Sequence, residues 1–266
     1  MRNVNRKIAF VLASSNHGTM IVNRFDHHTP GPDAAAGIGV GHQIFEQSAY
    51  DPLEVELAIT LLEFRRQYFG ADVMAIDCGA NIGVHTVEWA RAMHGWGSVI
   101  AIEAQERIYY ALAGNIAINN CFNAIALNAA VAAEPGTLRI PTPDYLQPGS
   151  FGSLELKPGP QTEFIGQSID YSENATMPTR VISIDAMGLS RVDFIKLDIE
   201  GMELEAIEGS VKTLSTQRPI LLVEAIKVSR DRLRARLGEF DYKIIEAGMN
   251  IVAIHKDDQT ATHIAR

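Results

Sequence analysis

Cysteine is almost missing from this 266-residue chain, with only Cys78 and Cys121 present. Two isolated thiols make neither a disulfide framework nor a Cys-x-x-Cys metal pattern, so a reducing, cytoplasmic setting fits. Long apolar runs are missing too. "IAFVLA", behind Arg2, Arg6 and Lys7, is shorter than a signal-peptide core and far from the ~20 residues of a membrane span. Positive charge is also in deficit: 23 Lys and Arg face 32 Asp and Glu, for a net charge of −9. That sign argues against a surface built to neutralise nucleic-acid phosphates. What remains is ordinary globular material, 47% hydrophobic and 21% charged, long enough for one main α/β domain with an elaboration.

Residues 1–70 read as an N-terminal extension. "KIAFVLAS" and "TMIVNRF" could form a hairpin, and a Pro- and Gly-rich loop follows. Then "DPLEVELAITLLEFRRQYFG" reads as a helix, with Pro52 suited to its first turn and Gly70 to its stop. From residue 71 to 266 apolar strands alternate with helices. "VMAID" leads into a helix expected from about Ile82 to Met93, and "SVIAIEA" into one carrying Ile108, Leu112 and Ile116. "DFIKLD" precedes a helix with Leu204, Ile207, Val211 and Leu214 on one face, and "PILLVEAI" one with Leu233, Leu237 and Phe240. This alternation implies βαβ units, a mostly parallel sheet and right-handed crossovers. "YKIIEAG" and "NIVAIHK" leave no room for a crossover helix, so they must close the sheet as an antiparallel hairpin. Residues 144–178, rich in Pro, Gly and aromatics, interrupt the rhythm and read as a cover over the substrate site.

The stretch "VMAIDCGANIGVHT" (73–86) is a strand, a glycine-bearing turn and a helix start. A dinucleotide turn requires Gly-x-Gly-x-x-Gly, but after Gly79 the next two glycine positions hold Asn81 and Val84. A phosphate loop needs a Lys that is absent. An acid followed by Gly-x-Gly-x-Gly, the methyltransferase signature, is met by Asp77, Gly79 and Gly83, with Asn81 replacing the middle glycine. S-adenosylmethionine carries an ammonium, a carboxylate and a sulfonium. An acid at a strand end suits its cationic end, and open amides at a helix start suit its carboxylate. Glu103 closes the next strand, where an acid can accept both hydroxyls of a ribose. That supports a nucleoside without choosing between NAD and S-adenosylmethionine.

"DCGANIGVHT", "IEA", "LNAAVAAEPGTL" and "IKLDIEGMELEAIEG" together resemble the FkbM family of methyltransferases. Its pattern is roughly D-x-G-A-N-x-G at the first motif and K-x-D-x-E-G-x-E at the later one. The resemblance covers about residues 70–226. It implies a class I Rossmann-like fold with a seven-stranded sheet, S-adenosylmethionine as methyl donor and, most often, a hydroxyl acceptor on a small molecule or glycan. Cofactor contacts then fall on Asp77, Gly79, Ala80, Asn81, Gly83 and Glu103, with Asn128 and Ala129 near the adenine.

Lys196, Asp198 and Glu200 alternate along an extended strand end and share one side of it. A hydroxyl needs its proton removed to attack a methyl carbon. Asp198 is the first candidate for that base or for orienting the acceptor, Glu200 the second and His85 the third. Each has a plain alternative: Asp198 a pair with Lys196, Glu200 a favourable first-turn acid, His85 a packing residue. Glu224 ends the following strand and with Asp198 could hold Mg²⁺, but no third ligand is evident, so no metal is expected. His27 and His28 beside Asp26 read as solvated loop residues. An NAD-linked oxidoreductase and a non-catalytic nucleoside-binding protein are the competing readings.

Overall fold

The computed structural model describes residues 6–29, 37–159 and 162–264. Two compact units divide the chain, one built from residues 1–50 with 139–177 and a larger one from 51–138 with 178–266.

The larger unit is organised on a seven-stranded sheet. Its strands are β3 (Val73–Cys78), β4 (Gly97–Glu103), β5 (Ala124–Asn128), β9 (Phe194–Leu197), β10 (Ile220–Glu224), β11 (Tyr242–Ala247) and β12 (Asn250–His255). Their order is β11-β12-β10-β9-β3-β4-β5. The five strands from β10 to β5 run parallel, while β12 is antiparallel to β10 and β11 is antiparallel to β12. This is the α/β sheet with a terminal hairpin that the sequence implies. The nearly continuous apolar text of β3, β4, β9 and β10 follows from burial of both faces. Helix α2 (Pro52–Phe69) belongs to this unit. Its Ala58, Leu61 and Leu62 share a core with Trp89, Phe194, Ile220 and Val252. Leu53, on the same helix, is exposed. Arg65 of α2 is buried and bridges Asp193 at 3.2 Å and Asp258 at 2.6 Å, which satisfies its charge.

Helices α3 (Val84–Ala92) and α4 (Glu106–Ile118) follow β3 and β4. Beyond β9 the chain departs from the single helix expected. Two short helices, α5 (Glu203–Glu208) and α6 (Val211–Thr216), are broken at Gly209–Ser210, and Val211 is exposed. The break has a packing cause: a Cβ on Gly209 would lie 2.3 Å from the carbonyl oxygen of Ala132. The segment therefore lies tight against the backbone at Ala132 rather than continuing one helix axis. Helix α7 (Arg230–Gly238) buries Leu233 and Leu237 and starts at Ser229, whose hydroxyl accepts from Arg232 N–H. A further small sheet has the order β6-β8-β7, from Ala130–Val131, Thr176–Ile182 and Gly136–Pro141.

In the smaller unit β1 (Phe10–Ser15) and β2 (Gly18–Asn23) pair as an antiparallel hairpin, followed by α1 (Val40–Gln47). Asp26 is buried and accepts from the backbone of Gly41 at 2.9 Å and of Phe151 at 3.0 Å. Those bonds fasten the 144–177 segment to the N-terminal segment. His28 packs edge-on against Phe164 at 5.5 Å. Among the described residues, no group suited to a metal ion includes either histidine of the pair.

Candidate active site

Gly79, Glu103, Asp198 and Glu224, at the carboxyl ends of β3, β4, β9 and β10, belong to the larger unit. The turn after β3 is built from positive-φ residues: Gly79 at 78°, Asn81 at 50° and Gly83 at 88°. Asparagine is among the side chains that tolerate this region best, which accounts for Asn81 at the position of the middle glycine. Gly79 has a stricter reason. A Cβ there would sit 1.7 Å from the carbonyl oxygen of Asp198, so the turn and the end of β9 are in direct backbone contact. Gly79→Ala is expected to destabilise the protein by about 2–4 kcal/mol. Urea unfolding measures this, and a variant as stable as its parent would mean that the contact yields. A Cβ on Gly83 would meet Leu112 at 2.6 Å, and Ala80 packs against Leu112 and Ala101.

Glu103 is fixed by two backbone donors, Asn81 N–H at 3.0 Å and Gln105 N–H at 2.8 Å. Burial pushes its carboxyl up to about 7 in spite of those bonds. Asn128 donates its side-chain amide to the carbonyls of Glu103 at 2.8 Å and Ala104 at 3.1 Å. Ala129 N–H donates to Glu103 C=O at 3.1 Å. These two residues thus brace the loop that presents Glu103.

Asp77, 1% exposed, accepts from the hydroxyl of Thr86 at 2.6 Å through Oδ2, while its Oδ1 is buried and has no hydrogen-bond partner. Its register partner on β9 is Lys196. Lys196 Nζ lies 2.6 Å from Asp198 Oδ2 and 3.8 Å from Glu54 Oε1. Burial works against its charge, but Asp198, Glu54 and Asp77 hold its pKa well above the ordinary lysine value. Glu54, in the first turn of α2, also faces His85 Nε2 at 3.1 Å and accepts from Asn250. Burial would raise its proton affinity, yet the His85 hydrogen bond and the Lys196 charge bring it to about 2.

Glu200 stands in the left-handed region at φ 55°, just before Gly201 at 97°. That turn ends the extended run of β9 and swings Glu200 toward Asp198 and Glu224. The three carboxylates offer oxygens within 4.8 Å of one another. The expectation that no third carboxylate stands beside Asp198 and Glu224 is thereby corrected; alternation along a strand could not show a turn through positive φ. Lys227 Nζ contacts Glu200 at 2.5 Å. Burial and the neighbouring Asp198 raise the Glu224 carboxyl to about 8. Burial, with Asp198 and Glu224 beside it, likewise raises Glu200 against the pull of Lys227.

Asp198 has one oxygen fixed by Lys196, and its side chain is 27% exposed. His85 is buried, edge-on to Trp89 at 5.6 Å, and meets Glu54. Glu54, Lys227 and Asn250 were not singled out from the sequence as site residues. An acid in a helix's first turn is ordinary on dipole grounds, and nothing in the text of α2 marks it as reaching β9.

The residues fit a nucleoside with a cationic tail. Asp77 offers an unused buried oxygen, Gly79 allows close backbone approach, Glu103 offers a carboxylate for a ribose, and no side chain caps the start of α3. The family that the sequence matches agrees with that fit. A family model described as the methyltransferase FkbM domain matches residues 77–248. The chain is 24% identical over 157 residues to methyltransferase sdnD of Sordaria araneosa, covering 50% of this chain and 59% of that protein. It also aligns with the crystal structure of methyltransferase FkbM from Methylobacillus flagellatus KT, at 19% identity and a TM-score of 0.49, over 72% of this chain and 48% of that one. The precorrin-6y C5,15-methyltransferase of Geobacter metallireducens GS-15 aligns at 14% identity and a TM-score of 0.43, over 79% of this chain and 89% of that one. The chain thus spans little more than half the length of the curated relative and about half that of the FkbM structure.

Proposed function

Because the chain belongs to the FkbM methyltransferase family, we propose that it methylates a hydroxyl on a small molecule or glycan, with S-adenosylmethionine as donor. The observation that carries this reading is the backbone contact between the Gly79 turn and Asp198. It sets the acidic end of β9 directly beside the nucleoside turn, where an acceptor would have to stand.

Bound there, S-adenosylmethionine would supply an electrophilic methyl carbon. Glu103 would accept from the ribose hydroxyls, Asp77 Oδ1 would take the ammonium, and the open amides at the start of α3 would face the carboxylate. Asn128 and Ala129 would bound the adenine. Asp198 Oδ1 would receive the acceptor hydroxyl's proton while Lys196 holds Oδ2, so that the oxygen is presented in line with the methyl carbon. Glu200 would orient the acceptor, and His85 would act through Glu54 as a positioning residue. We assign no catalytic metal; Asp198 and Glu200 each pair with a lysine, Lys196 and Lys227. Among the described residues no helix is long and apolar enough to cross a membrane. The two buried, unpaired cysteines favour a cytoplasmic setting.

Calorimetric titration with S-adenosylhomocysteine and, separately, with NAD⁺ tests the cofactor. Only the first should bind, and Glu103→Ala should weaken it about 10–100-fold, as expected for loss of charge-assisted hydrogen bonds. Binding of NAD⁺ alone would overturn the reading. The pH dependence has a definite sign. The Glu103 carboxyl in the free protein is raised to about 7, and only the ionised form accepts both hydroxyls. Affinity should therefore fall below pH 7, by up to about tenfold per pH unit, and level off above it. In Glu103→Gln that slope should vanish.

A further inference from the structure

The charges at the strand ends carry an inference that rests on the methyltransferase reading and goes one step further. Asp198, Glu200 and Glu224 converge within 4.8 Å. The groups facing them are Lys196 from β9, Lys227 from the segment after β10 and Glu203 from the start of α5. Glu203 is buried, with Oε1 accepting from the backbone of Ile199 and Gly201 and Oε2 left without a hydrogen-bond partner. Close by stands Asp77 with its own orphaned buried oxygen. Four carboxylates thus share two ammonium groups, and Lys196 is shared further with Glu54 and Asp77. The Gly79–Asp198 contact sets this deficit of positive charge against the nucleoside turn.

We propose that Asp198, Glu200 and Glu224 read the charge of the nucleoside, favouring the sulfonium donor over the neutral thioether S-adenosylhomocysteine. The two ligands share ribose, adenine and amino-acid tail, so Glu103, Asn128 and the α3 amides treat them alike. They differ by one methyl group and one positive charge. A positive charge beside partly buried, under-neutralised carboxylates is favoured far more than it would be in water. The methyl group's departure removes that attraction, so the product leaves more readily than the donor. The raised proton affinities of Glu200 and Glu224 agree with this shortage.

The test needs no acceptor. Calorimetry at pH 8.5 compares S-adenosylmethionine, its stable amine analogue sinefungin and S-adenosylhomocysteine, on the wild type and on Glu200→Gln/Glu224→Gln. Both cations should bind the wild type at least about tenfold more tightly than the thioether. The double variant should lose most of that ratio while its S-adenosylhomocysteine affinity stays within about threefold. In paired buffers of different ionisation enthalpy at pH 7.5, the cations should release more protons than the thioether, since a positive ligand lowers carboxyl proton affinity. Single variants at each position cover the case in which the double variant melts. Equal affinities, or a ratio that the substitutions leave unchanged, would overturn the proposal. Micromolar binding of Mg²⁺ alone would assign the carboxylates to a metal and overturn it as well. If no nucleoside binds, the methyltransferase reading itself fails, an outcome distinct from equal binding of all three.

Discussion

Asp198→Asn should lower turnover about 10²–10⁴-fold, the usual contribution of a positioned base, while S-adenosylhomocysteine affinity stays within about threefold of wild type. The expectation follows from the bonding of the two oxygens. Oδ2 is held at 2.6 Å by Lys196, whereas the side chain keeps 27% exposure at the end of β9. An amide in the same place keeps the shape and can still bond its neighbours, but it cannot take a proton from a hydroxyl. Equal losses in turnover and in nucleoside affinity would show instead that Asp198 serves the cofactor. A turnover within threefold of wild type would remove it from the chemistry altogether and move attention to Glu200. Methyl transfer to an acceptor found by screening hydroxylated small molecules and glycans supplies the measurement, with binding followed by calorimetry on the same preparations.

How much of this was legible in the chain varies with distance along it. The turn at 79–83 and the strand end at 196–200 were readable because each packs its chemistry into a few adjacent residues with fixed local geometry. The terminal hairpin was readable for a similar reason, since Gly248 to Asn250 leaves only room for a turn. The α5–α6 break was not, because apolar spacing at three and four looks the same whether or not a glycine must press against Ala132. The approach of Glu200 to Glu224 was not legible either: strand alternation places it on the side of Asp198, but only its positive φ explains how it reaches Glu224. Glu54 lay furthest out of reach. Its site partners are 31 and 142 residues away at His85 and Lys196, and an amphipathic helix start gives no sign of what its acid will face.

That long-range contact yields the last large effect, a loss of stability rather than of turnover. Lys196→Met should destabilise the protein by about 3–5 kcal/mol, because it strands buried carboxylates that share one ammonium. Glu54 and Asp198 flank Lys196 at 3.8 and 2.6 Å, and Glu54 is fixed further by His85 and Asn250. Adding Glu54→Gln to Lys196→Met should restore about 1–3 kcal/mol of the loss, since the second change removes one of the stranded charges. Alone, Glu54→Gln should instead destabilise, because it removes an ionised carboxylate held by His85, Lys196 and Asn250. The sign of the pH dependence follows from Glu54. Its folded pKa of about 2 lies below its ordinary 4.5, so its stabilising contribution is complete above pH 4.5 and fades as pH falls toward 2. Lys196→Met keeps the His85 hydrogen bond but lacks the ammonium that, after it, depresses that pKa, so the stability gap between it and the wild type should narrow in part across the same window. Urea unfolding of the four proteins at pH 7 and pH 4 measures both effects. Strictly additive losses would mean that Glu54 and Lys196 do not act on each other, and α2 would then be only a packing element behind the site.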